Sequence, residues 1–394
     1  MKIKLLFASH NFIFLQDVIS LFQKHPDFDV KLDKWIDRTP NENSKILLNW
    51  ADVIIVNYVL APAVWYSQHK KPNQTLIIRY HRFEIETEHP KMLEVKNIDK
   101  LVSTSPIFQS RMENLIGLSK HQSVAIYNPI NIQKFQLNKN EGSEFHLGML
   151  GYSVKIKRAD RAFEIFEKLK QHDSRYKLFF KGPTENERPN VSEEARRIMD
   201  EIHQKRKNPL YQDSVFFDQE GPDVPEWFRN IGFILSMSEF ESFHCSLAEG
   251  MASGCIPMII AWPGANLIYP EEFISADIDE IVQKILMYSQ NKELFESKQE
   301  EVIDYCLENF SHHVIFDQFL QHIFDCLATK ARLRKQRSPY RKRRIKKPRF
   351  KKTRLRTTFR KRKVRRRLRL HRRTTRPASK RRRHIGKKLK QRLA

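Results

Sequence analysis

Two glutamates eight positions apart, Glu241 and Glu249, bracket the segment of this chain best suited to chemistry. The stretch reads Glu241-Ser-Phe-His-Cys-Ser-Leu-Ala-Glu249 and continues as Gly250-Met-Ala-Ser-Gly254-Cys-Ile-Pro257. An apolar run at 231–235 leads into a polar loop, and a helix starts near Cys245. A helix start presents unpaired N–H groups and the positive end of the dipole, which suits a diphosphate. Glu249 lies about one turn inside that helix, where a carboxylate accepts two hydroxyl hydrogen bonds from a ribose, each worth roughly 1.5–3 kcal/mol. Glu241, ahead of the helix, is placed to grip the hydroxyls of a second sugar. Glutamates near a helix start are also common for the dipole alone, so spacing leaves both readings open.

Other titratable residues collect where apolar runs end. Arg79-Tyr-His81-Arg-Phe-Glu84 follows the run 76–80, and Ser9-His10-Asn11 follows 3–8. Leu150-Gly-Tyr-Ser-Val-Lys-Ile-Lys157-Arg-Ala-Asp160 brings Lys155, Lys157 and Arg158 to one loop. Two Asp-x-Asp pairs occur. Asp27-Phe-Asp29 sits in a short turn before a strand-like run, and Asp277-Ile-Asp279 reads as a helix N-cap. Neither ends a buried apolar strand, so no metal site is expected. His312-His313 reads as the ordinary start of the last helix.

The elements that must hold these residues alternate. Strand-like runs at 3–8, 53–57, 76–80, 101–104 and 124–127 are interleaved with helical segments at 14–25 and from Pro106. Asn128-Pro129 signals a turn or linker. The pattern restarts with strands at 145–150, 176–180, 215–217, 231–235 and 256–260, and helices at 160–171, 191–206 and 247–253. Residues 279–328 are mostly helical. Two such runs predict an α/β protein of two parallel sheets, with ligands at the carboxyl ends of the strands.

Charge divides the chain differently. The whole carries +26, yet 35 of its 72 Lys and Arg residues and none of its 46 acidic residues fall at 330–394, leaving 1–329 at −9. The tail is too charged to bury a core and is expected to be disordered when unbound. It suits an anionic membrane, a polyanion such as a glycan acceptor, or, as a less favoured partner, nucleic acid. Nothing in it forms a recognisable base-reading module. Cys245, Cys255, Cys306 and Cys326 make no CxxC pair, and scattered thiols fit a reducing cytosol. The opening segment reads as a first strand rather than a signal peptide, and no apolar run reaches bilayer-spanning length.

Four ordered segments resemble the retaining glycosyltransferases of family 4, which have the GT-B fold. Glu241–Glu249 resembles their E-x7-E region, with Ser242 and His244 in place of two glycines, while Glu249, Ala252, Gly254 and Pro257 match. Ser236-Met-Ser-Glu-Phe resembles the S-x-x-E approach to it. Tyr127-Asn-Pro-Ile-Asn-Ile-Gln-Lys-Phe135 resembles the interdomain N-G-V-D-x-x-x-F segment. The loop 150–160 resembles G-R-L-x-x-x-K-G, with Lys157 on the phosphate-binding lysine and Tyr152 where the family has arginine; Lys155 or Arg158 is the candidate replacement.

The resemblance implies two Rossmann-like domains facing across a cleft, an acceptor domain at 1–135 and a nucleotide-sugar domain at 136–290. Helices at 291–329, packing back on the first domain, and the tail at 330–394 follow. It implies a hexosyltransferase acting from a nucleotide sugar, UDP-linked, onto a cell-envelope, capsular, teichoic-acid-like or lipid-linked acceptor. A cytoplasmic protein at the inner face of the membrane is expected, with no metal and no cofactor beyond the donor. Expected catalytic residues are His81 and Glu241; Lys157, Phe243, His244, Cys245 and Glu249 bind the donor. Asn11, Arg82, Glu84, Asn128, Gly151 and Lys155 are further contacts. The alternative is a nucleic-acid-binding protein acting through its tail, with a degenerate or nucleic-acid-modifying GT-B body.

Overall fold

The computed structural model describes residues 2–184, 186–187 and 191–337, with Lys335 described by its backbone alone. Most of the basic tail therefore lies outside the described residues.

The first half forms a parallel sheet in the order β2-β1-β3-β4-β5-β6. In chain order its elements are β1 (Ile3–Ser9), α1 (Gln16–Lys24), β2 (Phe28–Lys34), α2 (Glu42–Trp50), β3 (Val53–Asn57), α3 (Ala61–His69), β4 (Thr75–Tyr80), β5 (Lys100–Ser103), α4 (Pro106–Ile116) and β6 (Ser123–Ala125). Every residue of β3 and β4 is buried. Helices cover both faces, so these strands read as unbroken apolar runs. The expected turn at Asp27-Phe-Asp29 is corrected in part: Phe28 and Asp29 already pair with Ile3 and Lys4. As an edge strand, β2 carries charges that mask its pattern. Helix α3, unassigned from sequence, buries Pro62, Ala63, Val64, Tyr66 and Ser67. A helix buried this evenly has no amphipathic stripe to read.

The second half forms a parallel sheet in the order β12-β11-β10-β7-β8-β9. Its elements are β7 (His146–Leu150), α5 (Ala159–His172), β8 (Lys177–Lys181), α6 (Glu193–Arg206), β9 (Val215–Asp218), α7 (Val224–Phe228), β10 (Phe233–Ser236), α8 (Cys245–Ala252), β11 (Ile256–Ile260), β12 (Ile274–Ser275), α9 (Ile278–Ser289) and α10 (Lys292–Asn309). Gly250 lets α8 lie close on β10, since a Cβ there would sit 3.0 Å from the Ile234 side chain. Asp277 caps α9, accepting from the Glu280 N–H at 2.8 Å.

Helix α11 (His312–Arg337) crosses back to the first sheet. Ile315, Phe319 and Ile323, four residues apart, enter a core with Leu5, Phe7, Val18 and Phe22. Each contributes roughly 1.5–3 kcal/mol by burial. The two crossings between halves are pinned together. Ile130 N–H donates to the Phe310 carbonyl at 2.7 Å, and His312 N–H donates to the Ile130 carbonyl at 3.0 Å. The helix continues past 329, where the change in charge suggested a boundary. Lys330 is paired with Asp99 at 2.8 Å, and lysine and arginine are good helix formers. Charge density alone does not end a helix already nucleated by an apolar stripe.

Candidate functional site

Each sheet reverses its strand order once, between β1 and β3 in the first and between β7 and β10 in the second. Loops diverge at such points and leave a crevice at the carboxyl ends of the strands. The loops after β7 and β10 carry Lys157 and Glu241. Gly151 turns the chain out of β7 at φ 79°, and Glu239 N–H donates to the Ile156 carbonyl at 3.0 Å, clamping the two loops together.

Lys157 Nζ donates to Glu241 Oε1 at 2.5 Å and to His244 Nε2 at 2.8 Å. An ammonium group has no lone pair, so Nε2 must be the acceptor and the imidazole proton sits on Nδ1. That Nδ1–H donates to Ser236 Oγ at 2.8 Å, which also accepts from Trp262 Nε1 at 3.3 Å. Burial, reinforced by the Lys157 charge, lowers the His244 pKa to about 4, so the ring is neutral at pH 7. Burial opposes ionisation of Glu241, but His244, protonated at the low pH where this carboxyl titrates, Lys157 and the Ser238 hydroxyl, 2.7 Å away, outweigh it and hold the carboxyl at about 2. The result is one ammonium facing one carboxylate beside the start of α8. The N–H groups of Cys245 and Ser246 find no carbonyl partner among the described residues, as the first turn of a helix requires. Phe243 buries its ring against Tyr127, stacked at 5.5 Å, so only its backbone can serve a ligand.

The first sheet answers with a buried cation. Arg79, fully enclosed at the end of β4, donates to Asn57 Oδ1 at 2.7 Å, to His81 Nε2 at 2.8 Å, and to Asn128 Oδ1. Burial lowers it to about 10, still a cation at neutral pH. Burial, then the Arg79 charge, pushes His81 well below the ordinary histidine range. Its neutral ring stacks on Tyr58 at 5.0 Å. Tyr58 itself holds φ 73°, a left-handed backbone that side chains avoid, and its hydroxyl donates to Asn11 Oδ1 at 3.2 Å. Asn128 Nδ2 reaches Cys245 Sγ at 2.9 Å, so a polar chain runs from β3 through β4 and the linker to α8. Burial, with Glu249 nearby, raises the Cys245 thiol to about 12 and keeps it protonated.

These groups surround a concavity of about 390 Å³ between the two sheets. Phe14, Tyr58, His81, Arg82 and Phe83 line it from the first half, Asn128 from the linker, and Lys157, Glu241 and Cys245 from the second. The guanidinium of Arg82 lies 5.0 Å over the Phe240 ring. Glu249 stands one turn behind this wall. Its carboxyl makes no hydrogen bond to a described residue, and burial raises it to about 7. Asn11 reaches the site through Tyr58 and through its carbonyl, which accepts from Asn57 Nδ2 at 3.5 Å.

Three expectations are corrected. Glu84 is fully buried, accepting from the backbone N–H of His81 at 2.7 Å and of Val59 at 3.4 Å, so it braces two loops and offers nothing to a ligand. Lys155 turns away to pair with Glu194 at 2.6 Å, because the turn that aims Lys157 inward puts the residue two before it outside. Arg158 is likewise spent on Asp160 at 2.6 Å and Glu239 at 3.2 Å. Tyr152, where an arginine was looked for, packs on Phe180 at 5.1 Å in the second core. The cation that lines the far wall is Arg82, an expected contact; Arg79, which was not singled out, is sealed behind it. A lone charge inside the apolar run Thr-Leu-Ile-Ile-Arg-Tyr was its signal. Among the described residues no group of three or more His, Cys, Asp or Glu is arranged to hold a metal ion.

No family model matches the sequence, and no curated protein does. Solved structures do match. A glycosyltransferase from Rickettsia africae is 13% identical, with TM-score 0.62 over 83% of this chain and 99% of its own. HepE of Anabaena, in complex with UDP, is 14% identical, with TM-score 0.61 over 82% and 100%. TarM is 15% identical, with TM-score 0.52 over 68% of this chain and 54% of its own, so this chain spans about half of TarM. Identities this low establish the fold alone. The fold is GT-B, two Rossmann-like units facing across a cleft.

Proposed function

We propose that the protein is a retaining glycosyltransferase that moves a hexose from a UDP-linked donor to a cell-envelope or capsular acceptor. The observation that carries this is the Lys157 ammonium beside the open start of α8, facing His81 and Arg82 across the crevice. A departing diphosphate gains negative charge as its sugar bond breaks, and preorganised cations and N–H groups stabilise that charge. Lys157 and the N–H groups at 243–246 supply them without a metal. Glu241 accepts from the hydroxyls of the transferred sugar, and Glu249 from the ribose. The neutral His81 contacts the sugar or the acceptor hydroxyl. The acceptor oxygen bonds to the anomeric carbon on the face the diphosphate leaves, and its proton passes to the departing phosphate oxygen. The known complexes of the neighbours support a UDP-linked donor: HepE with UDP-glucose, S. aureus TarM with UDP and alpha-GlcNAc-glycerol, and pneumococcal GtfA with UDP and GlcNAc.

Among the described residues no helix is long and apolar enough to cross a membrane. We assign the basic segment 330–394 to an anionic membrane or polyanionic acceptor, at about 1 kcal/mol per basic residue near the surface. The test is a screen of nucleotide sugars, with released nucleotide read by mass spectrometry. One UDP-sugar should release UDP. Glu249→Ala should lose most of that release, and unchanged release and transfer would refute the site.

A further inference from the structure

Beside the crevice, on the first sheet alone, lies a second concavity of about 450 Å³. It sits over the carboxyl ends of β2, β1 and β3, sharing with the crevice the loops that follow β1 and β3. His10, Arg38 and His89 line it, with Asp37 the one acidic residue among its lining. His10 Nδ1 lies 3.2 Å from the Trp35 carbonyl. A carbonyl only accepts, so Nδ1 carries the proton and Nε2 is the free edge of the ring. His89 Nδ1 is anchored on Thr87 Oγ1 at 3.3 Å, again leaving Nε2 free. Arg38 makes no hydrogen bond or ion pair with a described residue. Two other cations near the crevice are engaged within the fold, Arg158 by Asp160 and Arg79 by two asparagines. An open arginine sharing one concavity with two imidazoles whose Nε2 atoms are unengaged is an arrangement suited to a tetrahedral anion.

We propose that this concavity binds a phosphate ester carried by the acceptor and so holds the acceptor hydroxyl toward the crevice. The assignment rests on reading the crevice as a transfer site. Arg38 supplies paired N–H donors to the phosphate oxygens, and the two histidines add a donor each when protonated. The existing field agrees. Burial, then the charges of Arg38 and His10, lowers His89; an anion between them reverses the electrostatic part and lets His89 hold its proton to higher pH. Asp37 opposes the anion on its own side, so Arg38 must dominate.

The experiment uses the full-length protein with labelled histidines. Ring signals of His10 and His89 are assigned through His10→Gln and His89→Gln, then followed during addition of inorganic phosphate, glycerol 3-phosphate and glycerol. Reading individual rings separates this site from phosphate bound by the tail. Glycerol 3-phosphate should move both signals and raise the His89 midpoint by about one pH unit, while glycerol should do nothing. Arg38→Ala should weaken the ester about tenfold and leave UDP affinity unchanged. Signals that stay put, or a response as strong in Arg38→Ala, overturn the proposal. A response to inorganic phosphate but not to the ester means an adventitious ion only and overturns it too. Failure of the wild-type protein to bind UDP would sink the transferase reading instead, without moving the histidine signals.

Discussion

Replacing Lys157 with methionine keeps the length of the side chain and removes its charge. Two consequences follow from the geometry, and they separate. In the free protein Glu241 loses the ammonium 2.5 Å away. Its carboxyl falls in the fold from 4.5 to about 2, which corresponds to about 3 kcal/mol favouring the ionised form. A pKa depressed by folding stabilises the fold above the unfolded value and loses that contribution as pH falls through the folded one. The window here is therefore from about 4.5 down to about 2. Lys157 shares the effect with His244 and Ser238, so Lys157→Met should cost about 1–2 kcal/mol at pH 7. Adding Glu241→Gln removes the stranded charge and should recover most of it. The ligand tells a different story. Losing a charged donor to a phosphate costs about 1.5–3 kcal/mol, or roughly ten- to hundredfold in affinity. The second substitution cannot restore that. Urea unfolding and calorimetric titration with UDP measure the two quantities on the same three proteins. A folded Lys157→Met protein that binds UDP within about twofold of wild type would refute the assignment of Lys157 to the diphosphate.

Arg79→Met leaves Asn57, Asn128 and the His81 ring without a donor in a sealed interior; it should lower unfolding free energy by about 3 kcal/mol or more, and a loss under about 1 kcal/mol would mean the network is not integral. Burial raises Glu84 to about 8. A carboxyl raised by folding favours the fold below its unfolded value of 4.5 and loses that advantage as pH climbs through about 8. Glu84→Gln should therefore be the more stable protein at pH 9 and lose its lead near pH 5, measured by urea unfolding; a difference that does not change with pH would contradict a buried, protonated Glu84. Truncation after Arg337 should leave UDP affinity intact and abolish binding to vesicles of anionic lipid in a co-sedimentation assay. Truncation after Thr329 should in addition destabilise the body, because it removes Lys330 from Asp99.

Sequence alone carried the alternation of strands and helices, because parallel strands covered on both faces are continuous apolar runs that need no partner to be seen. It also placed Glu241, Glu249 and Lys157 at the end of such a run or one turn into the helix that follows, and family resemblance, not spacing, singled them out. It could not show that Lys157 points into the crevice while Lys155 and Arg158 do not, because a single turn decides which side chains face inward. It could not place Arg79 against Asn57 and Asn128, which are 22 and 49 residues distant along the chain. Glu84 looked like a ligand contact and is a buried brace. Charge suggested an end at 330, whereas packing of Ile315, Phe319 and Ile323 carries the helix beyond it. Short-range pattern determines which elements form and which loops hold the chemistry. Only their packing decides which charges are spent on each other and which stay open to a ligand, because electrostatic pairing acts through space and not along the chain.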